Sequence, residues 1–308
     1  MRVALHDSEK EHIKKKIFPN LALMKISTFH KARDDSVEWW QPMEDYDRVY
    51  SSKIFDFTPE NPFLPKSTIK GGTGYRDIPL DQTLAPEIDD CFPDYTIYPN
   101  CDYAIGYLTR GCPNRCRWCV VPQKEGAIKP YRLWQDVVRE DSMKLTLMDN
   151  NILACSHGLS QLEELTATKY KIDLNQGMDA RLVTPEIAQL LSKLRWQRYI
   201  RFSCDQISQL DHIQKVVDML GEFGVLPYRI FVYLLVTKDI ENASFRVEEL
   251  KKMGKLCVYA QSEQNASLGI LPNKAQKEFS SRYMYSRCYL KETWEEYVQR
   301  KGLIFPEP

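Results

Sequence analysis

The 308-residue chain lacks net charge: Lys plus Arg number 42 and Asp plus Glu number 42, for a formal charge of +0. A whole-protein field that gathers polyanions is therefore absent, although a local basic patch is compatible with this balance. No apolar run approaches the length of a bilayer span, so no membrane partner is expected. The opening residues, Met-Arg-Val-Ala-Leu-His-Asp-Ser-Glu-Lys, turn polar too soon for the apolar region of a signal peptide, and a cytoplasmic protein is expected. Gly71-Gly72-Thr73-Gly74 has neither the Lys of a P-loop nor the G-x-G-x-x-G of a dinucleotide fold, and reads as a turn or linker. The short basic run His12 to Lys16 reads as a solvated helix face.

A disulfide framework is also missing. The cysteines number 9, an odd count in a long chain without a secretory leader. Cys91, Cys101, Cys155, Cys204, Cys257 and Cys288 are scattered without a C-x-x-C pair and read as buried small hydrophobes or inert thiols. Cys91 and Cys101 are the nearest two of these, and they do not indicate a second cluster.

What is present is a stretch from Gly111 to Cys119, Gly-Cys-Pro-Asn-Arg-Cys-Arg-Trp-Cys, on which the rest of the chain is organised. Cys112, Cys116 and Cys119 stand in a C-x3-C-x2-C spacing on a loop opened by Gly and Pro. Closely spaced thiolates are the usual ligands of iron–sulfur clusters. Three thiols rather than four leave one iron of a cubane without a protein ligand, as a catalytic zinc keeps one position open. The competing reading is a structural zinc site, which ordinarily shows a second ligand pair downstream. Here the next Cys and His are Cys155 and His157, far along the chain and not paired at ligand spacing.

The organisation around that loop is regular. Hydrophobic residues make up 43% and charged residues 27%, ordinary for a globular chain. Strands are expected at 103–108, 144–148, 170–174, 199–202, 229–236 and 256–260. Helical spacing lies between them: Leu133 to Val138, then Leu159, Leu162 and Leu165, then a start at Thr184-Pro185, then 207–220, then Phe245 to Met253 ending at Gly254. Six strands alternating with five helices predict repeated βα units and a parallel sheet. Residues 1–95 predict a smaller α/β unit, with strands at Val3–Leu5, Leu21–Ile26 and Tyr46–Phe55, a charged helical stretch through Ile17, and a Pro- and Gly-rich linker. From about Asn273 the tail is polar and aromatic and predicts helices.

C-x3-C-x-aromatic-C resembles the signature of the radical S-adenosylmethionine (radical SAM) enzymes, with Cys112, Cys116, Trp118 and Cys119 matching position by position. The resemblance implies an α/β fold: a partial (β/α)6 TIM-like barrel over 96–270, with the cysteine loop after its first strand and the 271–308 tail covering the open side. It implies a [4Fe–4S] cluster on the three cysteines and SAM on its open iron through amino and carboxylate groups. Cleavage of SAM then yields a 5′-deoxyadenosyl radical that abstracts hydrogen from a substrate. An electron donor such as a flavodoxin or ferredoxin follows as a partner. In that family the aromatic residue before the last Cys lies near the adenine, a role that falls to Trp118.

Parallel-barrel sites are built from loops at the carboxyl ends of the strands. Those ends carry Asp149-Asn150-Asn151, then Asn175-Gln176 with Asp179 and Arg181, then Arg201, Ser203, Asp205 and Gln206, then Tyr233, Thr237 and Lys238, and last Gln261 and Glu263. Arg suits a carboxylate through paired donors, and Asp or Asn oxygens suit the ammonium and ribose of SAM. Asp149, Asn150, Asn151, Gln176, Asp179, Arg181, Ser203 and Asp205 are therefore the expected SAM-binding set, and no catalytic residue is assigned. Asp179 and Asp205 serve equally well as helix caps.

The stretch Leu-Asn-Gln-Gly-x-Asp-Ala-Arg after the third strand is similar to the branch with cobalamin-binding and methylthio-transferring members, in which residues 1–95 correspond to a shortened Rossmann-like domain. This chain departs from the family in one place and from the branch in two. Asp149-Asn150-Asn151 replaces a Gly-Gly-Glu segment. The cobalt-ligating Asp-x-His-x-x-Gly is absent, His6-Asp7 being in the reverse order. A methylthiotransferase brings three further N-terminal cysteines, and this region has only Cys91, which disfavours that activity. A nucleic-acid base is one substrate class for the branch. Its only support here is Arg282, Tyr283 and Arg287, which serve equally as core and surface residues. The rival readings are a non-catalytic zinc or iron–sulfur module and an inactive relative.

Overall fold

Val3, Ala4 and Leu5 are buried to 1% exposure or less and form the centre of a strand, as their run of small apolar side chains predicts. The structure, a computed structural model, describes residues 1–12, 18–265, 268–284 and 291–305. Cys288, Tyr285, Tyr289, Arg287 and residues 13–16 of the basic run lie outside the described residues. The chain divides into two compact units, Met1–Asp102 with Gln123–Glu125 and Asn265–Gly269, and the remainder from Tyr103 onward.

The first unit runs β1 (Arg2–Asp7), α1 (Ser8–His12), α2 (Leu21–Lys31), β2 (Ser36–Trp39), β3 (Arg48–Ser52), β4 (Ile69–Gly71) and α3 (Pro86–Asp89). Its sheet is wholly parallel, in the order β2-β1-β3-β4. Residues 21–26, expected as a strand, are helical. Asn20 caps them by accepting the Leu23 N–H at 3.2 Å, and the helix runs on to Lys31, burying Leu23, Met24, Ile26, Ser27 and His30. A six-residue apolar window does not distinguish strand from helix; the cap and the later turns do. The glycine run is more than a linker. Gly71 ends β4, and Gly72 turns with φ +98° where a Cβ would lie 2.2 Å from the Lys53 carbonyl oxygen.

α4 (Val121–Lys124) is divided between the two units, and the second contains β5 (Ala104–Gly106), β6 (Thr109–Arg110), β7 (Lys129–Pro130), β8 (Lys144–Leu147), α5 (Ser156–Thr166), β9 (Lys171–Leu174), α6 (Pro185–Lys193), β10 (Ile200–Ser203), α7 (Leu210–Glu222), β11 (Ile230–Val236), α8 (Ile240–Lys252), β12 (Cys257–Ser262), α9 (Lys274–Arg282) and α10 (Trp294–Lys301). β5-β8-β9 and β10-β11-β12 are parallel sheets, and β6 and β7 pair antiparallel. Met178 bridges the two sheets: its N–H donates to the Arg201 carbonyl at 2.8 Å and its carbonyl accepts the Ser203 N–H at 3.2 Å. The six parallel strands thus follow one another in chain order.

One helix expected here is missing. Between β5 and β8, after the cysteine loop and the β6–β7 pair, Leu133 to Val138 form only a single 3-10 turn, Trp134–Asp136. Long helices follow β8, β9, β10 and β11. β11 shows how the faces are divided. Ile230, Val232, Leu234 and Val236, all at 0% exposure, join the core that holds Val216, Val217, Val247 and Leu250 of α7 and α8. Phe231 and Tyr233 alternate onto the opposite face with Tyr199, Cys257 and Tyr259. Among the described residues no helix is long and apolar enough to cross a membrane.

Candidate active site

The site begins where β5 ends. Asp149, just past β8, accepts the Leu108 N–H at 3.1 Å and the Thr109 N–H and hydroxyl at 2.5 and 2.7 Å. Burial pushes its carboxyl up to about 6, against the pull of those donors. Thr109 and Arg110 pair with Pro130 and Lys129, which pinches the base of the segment between them. Gly111 leaves that base with φ +83°, and a Cβ there would lie 2.2 Å from the Ala127 carbonyl oxygen. Cys112 N–H donates to the Gly126 carbonyl at 3.1 Å and closes the loop.

The three expected ligands lie on this loop, half-buried and outside any disulfide. Cys119 N–H donates to the Cys116 carbonyl at 3.0 Å, a tight turn between the last two. The Cys116 thiol is pushed up by burial first, then by Cys119, Cys112 and Asp205, with Arg181 opposing. Those charges share one electrostatic neighbourhood. Asn151, 2% exposed, places Nδ2 3.7 Å from Cys112 Sγ, while its Oδ1 is buried without a hydrogen-bond partner among the described residues. From the turn after β9, Asp179 accepts Asn114 Nδ2 at 2.9 Å, which ties this turn to the cysteine loop. Arg181 grips the same carboxylate with Nε at 2.8 Å and Nη2 at 2.6 Å. Burial raises the Asp179 carboxyl, but the Arg181 and Asn114 bonds bring it below its usual value.

The remaining expected residues divide between this neighbourhood and its margins. Asp205 is half-buried, accepts the Leu235 N–H at 3.1 Å, and has its carboxyl raised by burial. Ser203 is half-buried at the end of β10. Asn150 is half-buried between the committed Asp149 and the buried Asn151. Trp118 is half-buried with the Arg117 guanidinium 5.9 Å from its ring. Gln176 is exposed, with Nε2 4.0 Å from Met148 Sδ. Asp149 differs most from its expected role, because its oxygens are taken up by Leu108 and Thr109. Asn114 was not among the expected residues. Its one sequence signal is an amide side chain inside the cysteine spacing.

Among the described residues no three His, Cys, Asp or Glu side chains converge as ligands of one metal ion. A cubane asks for a different arrangement, since each thiolate of a [4Fe–4S] cluster serves its own iron. A loop with three cysteines beside a buried amide oxygen that has no hydrogen-bond partner among the described residues suits that donor requirement in kind.

No protein-family model matches the chain. It is similar to the ribosomal protein uS12 methylthiotransferase RimO of Chromobacterium violaceum, 22% identical over 192 residues, 60% of this chain and 42% of that protein. It is also similar to the RimO of Psychrobacter cryohalolentis, 25% identical over 175 residues, 52% of this chain and 31% of that protein. The matched stretch thus spans less than half of either relative. Both relatives are named as methylthiotransferases, and at this identity and coverage the likeness is partial and singles out no branch for this chain.

Proposed function

We propose that the chain is a radical SAM enzyme in which Cys112, Cys116 and Cys119 hold a [4Fe–4S] cluster with one iron open to SAM. The observation that carries this reading is the three-cysteine loop that lies between the first and second of six parallel strands. The strand order fits a partial (β/α)6 barrel over 96–270, with a small Rossmann-like unit in 1–95 and a helical tail in 271–308. When bound and reduced, such a cluster supplies the electron that splits SAM into methionine and a 5′-deoxyadenosyl radical, the oxidant for hydrogen abstraction from the substrate.

The protein's own part is to position and enclose. Asn151 Oδ1 offers the SAM ammonium an acceptor that has no partner among the described residues. Arg181, its fork held by Asp179 and its side chain 45% exposed, presents a fixed cation to the carboxylate. Asp205, Ser203, Asn150 and Gln176 line the strand ends for ribose and substrate, and the Trp118 ring takes the adenine. Asp149 supports the loop rather than the cofactor. A flavodoxin or ferredoxin supplies the electron. Region 1–95 brings one cysteine, Cys91, where a methylthiotransferase brings three, so the proposal is limited to hydrogen abstraction.

The test is anaerobic reconstitution with iron and sulfide, followed by absorbance and electron paramagnetic resonance with and without SAM. A cluster lost in Cys112→Ala, a SAM-induced spectral change and 5′-deoxyadenosine release on reduction are expected. A protein that binds zinc and ignores SAM overturns the proposal.

A further inference from the structure

On the face of β9–β11 opposite the helices, three polar side chains from consecutive strands converge. Arg201 of β10 makes a forked ion pair with Asp173 of β9, Nε to Oδ1 at 2.6 Å and Nη2 to Oδ2 at 3.0 Å. Its Nη1 lies 3.4 Å from the hydroxyl of Tyr233 on β11. That hydroxyl donates to the Asn175 carbonyl at 2.8 Å. The Tyr233 ring also lies against Gly177, where a Cβ would be 3.0 Å from Cδ2 and φ is +82°. Phe231 and Tyr259, edge-on at 4.9 and 5.7 Å between ring centroids, fix the plane of the tyrosine ring. Largely buried ion pairs add little net stability against their desolvation. What this trio holds in place accounts for it better: the main chain at 175–177, two residues before Asp179.

We propose that Tyr233, backed by Arg201 and Asp173, is a positioning residue that sets the 175–181 turn and, through the Asp179–Asn114 bond, the cysteine loop. The linkage is a physical chain: Tyr233 to the Asn175 carbonyl and Gly177, along the turn to Asp179, and from Asp179 to Asn114 between Cys112 and Cys116. Its geometry stands without any cofactor. Its consequence for SAM rests on the reading above, because Arg181 moves with the same turn.

Amide hydrogen exchange on the full metal-free chain tests the linkage directly. Tyr233→Phe keeps the ring and removes the hydroxyl. Exchange at 175–181 and at 111–119 is expected to quicken by about 3- to 10-fold, the factor for one net hydrogen bond. Asn114→Ala, read at 175–181, tests the same link from the other end should Tyr233→Phe fold poorly. The double variant is expected to quicken 111–119 no further than either single change. Quickening confined to 175–181, additive effects in the double variant, or uniform quickening from 103 to 262 overturns the proposal. After reconstitution, the SAM concentration for half-maximal spectral change is expected to rise by a similar factor in both single variants. If the wild type ignores SAM, the radical SAM reading fails while the exchange result still decides the linkage.

Discussion

Asp149 holds Thr109 by both of its donors, the N–H at 2.5 Å and the hydroxyl at 2.7 Å on the same carboxylate oxygen. Thr109 is fully buried, so neither bond has water in competition. Hydrogen bonds to a charged group contribute about 1.5–3 kcal/mol each when the partner would otherwise be stranded. Thr109→Val keeps the shape and drops the hydroxyl, and a loss of about 2 kcal/mol is expected in denaturant unfolding, with Thr109→Ser recovering most of it. A valine variant as stable as wild type would show that the backbone N–H bonds alone hold the loop base.

The same carboxylate predicts a pH dependence. Burial raises the Asp149 carboxyl from 3.8 to about 6 in the folded chain. Between roughly pH 4 and 6 the folded state therefore binds the proton that the unfolded state has released. The stabilising contribution is fully present below about pH 4 and is lost as the pH rises through about 6. Two pKa units correspond to about 3 kcal/mol. Unfolding free energies of wild type and Asp149→Asn, measured from about pH 4 to 7, are expected to differ by that slope. Parallel curves would mean that the three donors, not burial, govern the group.

Gly111 and Gly126 both have left-handed backbones, φ +83° and +72°, yet only one is crowded. A Cβ on Gly111 would meet the Ala127 carbonyl oxygen at 2.2 Å, whereas one on Gly126 meets nothing within 4 Å. Gly126→Ala thus carries only the conformational penalty of about 1 kcal/mol. Gly111→Ala must also part the two strands of the loop base, and a loss of more than about 3 kcal/mol is expected, with reduced iron uptake on reconstitution. Equal effects in the two variants would remove the close approach from the account of this loop.

These contrasts show which parts of the molecule are legible in sequence. The cysteine spacing is local, and so is the alternation that splits β11 between two faces, with Ile230 and Val232 in one cluster and Phe231 in the other. Helix α7 is legible for the same reason: Ile213, Val216, Val217 and Leu220 recur at helical spacing, and all are buried. The 21–26 run misleads because its apolar residues satisfy either period until the Asn20 cap decides. The helix expected at 133–138 is a single 3-10 turn, Trp134–Asp136, since so short an apolar window does not fix a longer helix. The bond from Asn114 to Asp179 spans 65 residues, and no local pattern announces a partner at that distance. Asp149 was expected among cofactor contacts by its place after a strand, and only the fold reveals that Leu108 and Thr109 claim its oxygens.

Asn151 separates stability from function most cleanly. Its Oδ1 is buried with no partner among the described residues, and such an atom costs roughly 1–3 kcal/mol of desolvation. On the reading proposed above, that acceptor is satisfied when SAM binds. Asn151→Leu fills a similar volume without the polar group. The variant is expected to be as stable as wild type or more so by about 1 kcal/mol, because the unsatisfied oxygen is gone. It is expected to assemble its cluster, since Nδ2 lies 3.7 Å from Cys112 Sγ, a weak contact. The SAM-induced spectral change should nevertheless weaken by about tenfold in apparent affinity, the factor for one lost charge-assisted bond. If Asn151→Leu unfolds more easily and binds SAM as wild type does, the amide is a structural residue and the ammonium is held elsewhere among the strand ends.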